Sequence, residues 1–416
     1  MYVFKPFAFT ECKNKKSKLK PSPRTFPSIF CDEKHLYSFS GYRYVLNQST
    51  TIDFDNPKII EEILKYNLAT SIWTCLPNQQ HLPTKKEMVL GVTLKADKLI
   101  VATWIQNYRA KGFLYICDLK DEYKVIKLTT KGPIPKRLFS HNFISYGSYL
   151  YTIGTCNDLG VFRINPIIGN WEKLYPENAD DFPDRYEDVE LAFDGKKIFV
   201  FFVKLPSVKI PQLKTIHAYD IDKNRWFILN TIGDLNNAQP FPDGRINFGT
   251  SQLIDLESKN VNLIISGGIN DTKMYDDVWQ LNLYTLQWTC LKQFGLCLPK
   301  PICEHDATIS PSGKMFIFGG RIKPLYDSLN GVNKLYSAWI KIPKLTDICW
   351  EAVNYYYKDL GIKTSEELYQ LGLPVNFVNS RCCFKKHDYR ERFNKCGTRF
   401  IRSGWKIAMY KSGNAQ

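Results

Sequence analysis

Seven side chains stand out as able to act together: Arg137, His141, Arg185, Tyr186, Arg245, His305 and Arg321. Three of the arginines follow closely on a proline, at Pro135–Arg137, Pro183–Arg185 and Pro242–Arg245. The same pairing occurs at Pro23–Arg24, and Pro83 and Pro299–Lys300 are weaker versions of it. Guanidinium groups at equivalent points of a repeated unit would meet on one rim. There their planar donors suit a carboxylate, which they bind bidentately. The chemistry expected is therefore capture of an anionic group such as a peptide's C-terminus. The competing role for each arginine is to brace neighbouring loops through backbone carbonyls. Paired carboxylates, or a nucleophile with its base, do not accompany these residues, so the chain is not expected to be an enzyme. A copper oxidase centre would need more ligands than His141 and His305; no metal and no cofactor are expected.

A repeated unit must position these residues, and residues 262–291 show it best. Leu263–Ser266 is an apolar run that ends in Gly267–Gly268. A polar loop follows, then a strand pattern at Val278, Leu281 and Leu283, a turn over Asn282–Gln287, and Trp288. Turn and aromatic recur at Trp73, Tyr123, Trp171 and Trp226, so the spacings are 50, 48, 55 and 62 residues. That is the period of a kelch blade, a unit that buries both faces only when stacked against copies of itself. Six proline-marked starts predict six blades. The expected fold is all-β, a six-bladed kelch β-propeller. Each blade Trp and Tyr is expected to pack between blades. Blade six shows only three strands, and YVFKPFAFT at residues 2–10 reads as a strand without a blade. The N-terminal strand is therefore expected to close the last blade. With antiparallel order, the junctions between blades share one face with the loops after the second strands, which hold Tyr42 and Arg321.

The net charge of +15 lies at the two ends. Residues 1–24 hold seven Lys/Arg against Glu11, and residues 381–416 hold ten against Asp388 and Glu391, leaving the middle at +1. The propeller is thus not expected to bind nucleic acid. The twelve cysteines include no C-x-x-C pair, and the cluster Cys382, Cys383, His387 and Cys396 fits no zinc pattern. Reduced thiols, no secretory leader and no long apolar run predict a cytoplasmic or nuclear protein without a membrane span.

After Pro343 the hydrophobic period changes from 2 to 3.6. Leu345, Ile348, Cys349, Ala352, Val353 and Tyr356 fall on one helical face. A second short helix is expected in SEELYQ, with Ser365 as N-cap. A closed propeller has no core left to offer these helices, so their apolar faces are expected to need an outside partner. The expected division is an N-terminal strand and linker at 1–21, the propeller at 22–342, a helical box at 343–380, and a disordered basic tail at 381–416.

Leu345, Cys349 and Val353 resemble an elongin-binding box, and Leu373, Pro374 and Phe377 resemble the box that selects cullin-2. Six kelch blades followed by both boxes are similar to the kelch-repeat substrate receptors of cullin-2 RING ubiquitin ligases. The resemblance implies that Leu345, Ile348, Cys349 and Val353 bind elongin C, with elongin B, and that Leu373, Pro374 and Phe377 bind cullin-2 with its RING subunit. It also implies that the propeller mouth reads a short degron, often C-terminal, on a protein substrate. The alternative is a kelch scaffold for cytoskeletal or signalling partners, with its terminal helices packed on its own propeller.

Overall fold

In the computed structural model, the described residues are 2–12, 19–46, 52–60, 62–76, 83, 87–105, 111–120, 123–135, 143–154, 160–176, 178, 186–204, 213–255, 258–270, 273–322, 331–357, 359–360, 363–375 and 378. The chain divides into two compact units, the first Met1–Ile362, the second starting at Lys363.

The first unit opens with β1 (Thr10–Glu11) and then builds blades in chain order. Blade one is β2 (Ser28–Cys31), β3 (His35–Phe39), β6 (Ile63–Asn67) and β7 (Ile72–Cys75); the ribbon β4 (Tyr42–Leu46) and β5 (Ile52–Ile59) is inserted after β3. Blade two is β8 (Met88–Lys95), β9 (Lys98–Ile105), β10 (Lys111–Asp118) and β11 (Val125–Thr129). Blade three is β12 (Ile144–Tyr146), β13 (Tyr149–Gly154), β14 (Gly160–Asn165) and β15 (Asn170–Leu174). Blade four is β16 (Tyr186–Phe193), β17 (Lys197–Lys204), β18 (Thr215–Asp220) and β19 (Arg225–Asn230). Blade five is β20 (Gly249–Ile254), β21 (Val261–Ser266), β22 (Val278–Asn282) and β23 (Trp288–Cys290). Blade six takes β24 (Cys303–Ile309), β25 (Lys314–Arg321) and β26 (Leu335–Trp339), and its fourth strand is β1.

The expected closure by the N-terminal segment is present, but the paired strand is Thr10–Glu11, so only Thr10 of the expected residues 2–10 lies in it. Thr10 and Glu11 pair with Ser337 and Tyr336; a backbone bond from Cys12 to Leu335 continues the contact by one residue, and one from Phe7 to Trp339 adds a contact three residues earlier. Pro6 and the left-handed Phe7 keep the earlier residues out of the ladder.

Strand composition follows position in the blade. β21 is buried on both faces, because blades stack against each, and reads as an unbroken run, VNLIIS. The outermost strand β19, RWFILN, buries only Trp226 and leaves Arg225, Ile228 and Asn230 exposed. Among the described residues the core consists of six apolar clusters, each shared by two neighbouring blades. The last joins Phe316, Phe318 and Leu335 of blade six to Leu36, Leu64 and Trp73 of blade one, which completes the ring. Trp73, Trp171, Trp226 and Trp288 are all buried in these clusters. Along the axis the inner strands enclose a cavity of about 210 Å³, to which every blade contributes; its lining includes Ile29, Thr93, Ile144, Leu191, Ser251 and Asp306.

The glycine pair after the second strand has a packing reason. Gly267 and Gly268 have positive φ, and a Cβ on Gly267 would stand 2.3 Å from the Ile302 carbonyl oxygen. In blade one Ser40 takes the first of these positions and keeps the left-handed backbone at φ 56°. Where blades two and four lack the glycines, β9 and β17 simply run on as strands through these positions.

Among the described residues two helices follow the ring. α1 spans Leu345–Tyr356 and belongs to the first unit. α2 (Ser365–Gln370) lies in the second, and its N-cap is Thr364, one residue before the expected Ser365. Thr364 and Glu367 form a reciprocal capping box, so the side chain that satisfies the free amide is threonine's. Among the described residues, no helix is long and apolar enough to cross a membrane.

Candidate functional site

The mouth is built where each blade hands over to the next. Arg24 and Arg245 occupy equivalent points there, and both are fully enclosed. Arg24 Nε donates to the Ser22 carbonyl, Nη1 to Ser40 O at 3.0 Å, and Nη2 to the Glu62 carboxylate. Arg245 Nε donates to the Asp243 carbonyl, Nη1 to Gly267 O at 3.0 Å, and both terminal nitrogens to Asp277. In each case the carboxylate sits one residue before the third strand of the blade. The guanidinium thus ties the junction, the glycine turn and the third strand together. The Arg245 group also lies 3.9 Å from the Tyr275 ring centre.

Arg321 ends β25 and is buried against Glu304, donating from Nε at 2.7 Å and also from Nη2. Burial pushes the Glu304 carboxyl up, and the Arg321 guanidinium opposes that rise. Asp277 is the reverse case: burial would raise it, but Arg245 and the Trp279 indole N–H outweigh burial and hold it below the usual carboxylate range.

These contacts correct the expectation for Arg245 and Arg321 as a free carboxylate clamp. Their donors are spent on this chain's own carboxylates, because a buried guanidinium without a counter-charge would cost several kcal/mol. His305 is likewise internal. Its Nε2 lies 2.9 Å from Ser266 Oγ, and burial lowers it to about 3, so it is neutral. The structure brings Arg245 and His305 together at the end of β21, through Gly267 and Ser266. Arg137, His141 and Arg185 lie outside the described residues, as does the side chain of Tyr186, the first residue of β16. The carboxylates Glu62, Asp277 and Glu304 escaped sequence reasoning. The available signal was an acidic residue immediately before an apolar strand, at Glu62–Ile63 and Asp277–Val278.

The ribbon of β4 and β5 was not anticipated either. It leaves from the mouth side, where Thr25 and Tyr42 exchange backbone hydrogen bonds.

The terminal helix corrects a second expectation. α1 does find a place on the propeller, through the face opposite its apolar stripe. Asp347 and Trp350 are buried, while Glu351 accepts from Lys314 and Trp339 of blade six. Leu345 is 73 % exposed and Cys349 is exposed; Ile348 and Val353 are half-buried. Leu345, Cys349 and Val353 thus line one outward face. In the second unit Leu373 is half-buried and Pro374 exposed, while Phe377 lies outside the described residues, as do Cys382, Cys383, His387, Cys396 and the tail 381–416. Among the described residues no three His, Cys, Asp or Glu side chains converge on a point that could hold a metal ion.

Six four-stranded blades, carboxylate-paired arginines at two of the junctions and left-handed glycine turns define a six-bladed kelch β-propeller. No protein-family model matches the chain. Over most of its length, however, it is similar to Kelch domain-containing protein 10. The Xenopus tropicalis protein is 28% identical over 368 residues, covering 86% of this chain and 85% of that protein. The human protein is 25% identical over 368 residues, 86% of this chain and 79% of that one. The Drosophila melanogaster homolog is 27% identical over 414 residues, 91% of this chain but 65% of that protein, so this chain spans slightly less than two thirds of its length.

Proposed function

We propose that the chain is the substrate-recognition subunit of a cullin-2 RING ubiquitin ligase. α1 binds elongin C, in complex with elongin B, through Leu345, Ile348, Cys349 and Val353. Leu373, Pro374 and Phe377 select cullin-2 and its RING subunit. The observation that carries this reading is the two-sidedness of α1: one face is seated on blade six, and the leucine that heads the other is 73 % exposed. A large aliphatic side chain held in water on an anchored helix suits a grooved partner. Helix docking is also what a self-contained scaffold would need, but a scaffold gives Leu345 and Cys349 nothing to do.

The mouth presents a short degron-binding surface on the side where the blade junctions and the ribbon meet. With Arg245 and Arg321 paired internally, the capture of a C-terminal carboxylate falls to Arg137, His141, Arg185 and Tyr186. Purification of the full chain from cells, with mass spectrometry of what accompanies it, tests the assembly. Elongins B and C with cullin-2 are expected. Cytoskeletal or signalling proteins in their absence would leave the scaffold reading standing.

A further inference from the structure

α1 has twelve residues and no side-chain N-cap. A lone helix of that length is marginal in water, so its place is decided by what ties it down. Glu351 gathers those ties. Its Oε2 accepts from the Tyr2 hydroxyl at 3.0 Å, and its Oε1 from the Trp339 indole N–H at 2.9 Å and the Lys314 ammonium at 2.5 Å. The three donors come from three places: the N-terminal segment, the end of β26 and the start of β25. One turn further, the Tyr2 backbone N–H donates to Tyr356 Oη at 2.8 Å, and the Tyr2 ring lies 5.7 Å from that of Tyr355. Tyr2 therefore touches α1 on successive turns. The same segment then sends Phe7 and Phe9 into the cluster between blades five and six and becomes β1.

We infer that the N-terminal segment is a strap coupling closure of the propeller to presentation of α1, with Tyr2 and Glu351 as positioning residues for the outward Leu345–Cys349–Val353 face. Only a chain whose last blade has been completed by its own N-terminus holds the helix at a fixed angle. An open ring would leave α1 loosely seated, and a partner would then bind in proportion to the time the helix spends in place. What the face is held for rests on the ligase reading; that it is held does not.

Full-length Tyr2→Phe and Glu351→Ala are the informative variants. Tyr2→Phe keeps the ring contact and loses only the hydroxyl donor, so it remains foldable if Glu351→Ala is not. Three measurements are made on each: amide hydrogen exchange, melting temperature, and affinity for purified elongin B/C. Both variants should speed exchange in α1 while β25 and β26 stay protected and melting is unchanged. A helix seated a fifth of the time should bind elongin B/C about five-fold more weakly. In the doubly substituted chain the effects should fall short of additive, because both changes remove the same hydrogen bond. Unaltered α1 exchange in both variants overturns the strap whatever elongin does. Faster exchange with unchanged elongin affinity overturns the coupling. If the unmodified chain does not bind elongin B/C, the ligase reading falls, and the exchange measurement alone then decides the strap.

Discussion

At the scale of the residue, the enclosed arginines Arg24, Arg245 and Arg321 are fasteners. Arg245→Ala would leave Asp277 enclosed without its counter-charge, a change that costs about 3–5 kcal/mol. Urea unfolding should show a large drop in midpoint, while the folded fraction binds a C-terminal peptide as before. Weaker peptide binding at unchanged stability would return Arg245 to the clamp. His305 and Asp306, neighbours on β24, pull stability in opposite directions with pH. Burial lowers His305 to about 3, so below the ordinary 6.5 the unfolded chain takes a proton that the folded chain refuses. Stability from this residue is therefore lost as pH falls from 6.5 towards 3. Burial raises Asp306 from 3.8 to about 7, although the Ile29 and Ala307 N–H groups, each 2.7 Å from a carboxylate oxygen, oppose it. Between these values the folded chain keeps a proton that the unfolded chain has released, so stability from this residue falls as pH rises. Urea midpoints of the native chain and Asp306→Asn, compared at steps from about pH 4.5 to 7.5, should show the native chain losing ground as pH rises, by a few kcal/mol in all. A difference independent of pH would contradict the assignment.

At the scale of the element, α1 has a docked face and an outward face that can be tested separately. Trp350→Ala removes a buried indole from the docked face and should cost about 3–5 kcal/mol, lowering the melting temperature. Leu345→Ala, on the outward face, should leave melting unchanged and weaken elongin B/C binding about thirty-fold or more, the effect of losing an interface anchor worth roughly 2 kcal/mol. Calorimetry and a binding titration on the same two proteins check both halves. The opposite pattern, Leu345→Ala melting early and still binding elongin, would end the ligase reading. The apolar stripe was visible in the sequence because its period is local. The docked face was not, because Asp347, Trp350, Glu351 and Asn354 look like an ordinary solvated surface until blade six supplies Lys314 and Trp339.

At the scale of the whole molecule, the ring is closed by contacts between the two ends of the propeller. Asp306 accepts from the Ile29 backbone, Trp73 packs 5.3 Å from Phe318, and β1 fills the outer edge of blade six. Deleting residues 1–12 would strip β26 of its partner and withdraw Phe7 and Phe9 from the neighbouring cluster. Stability should fall by several kcal/mol, with a new tendency to self-associate through the bared edge, readable by denaturation and light scattering. A truncated chain as stable and monodisperse as the full one would show that blade six does not need β1.

The number of blades, their order and the source of the closing strand were all determined by the sequence alone. Each follows from local period, turn residues and a count of strands, which owe nothing to distant contacts. The roles of the arginines could not be read that way. Their carboxylates lie 38, 32 and 17 residues from Arg24, Arg245 and Arg321, and only the stacked strands bring them within reach. The same holds for the direction in which α1 faces. A helix with one apolar and one mixed face can dock by either. Tertiary structure chose the mixed face, because blade six and Tyr2 satisfy Glu351 at once while Leu345 meets no apolar surface there.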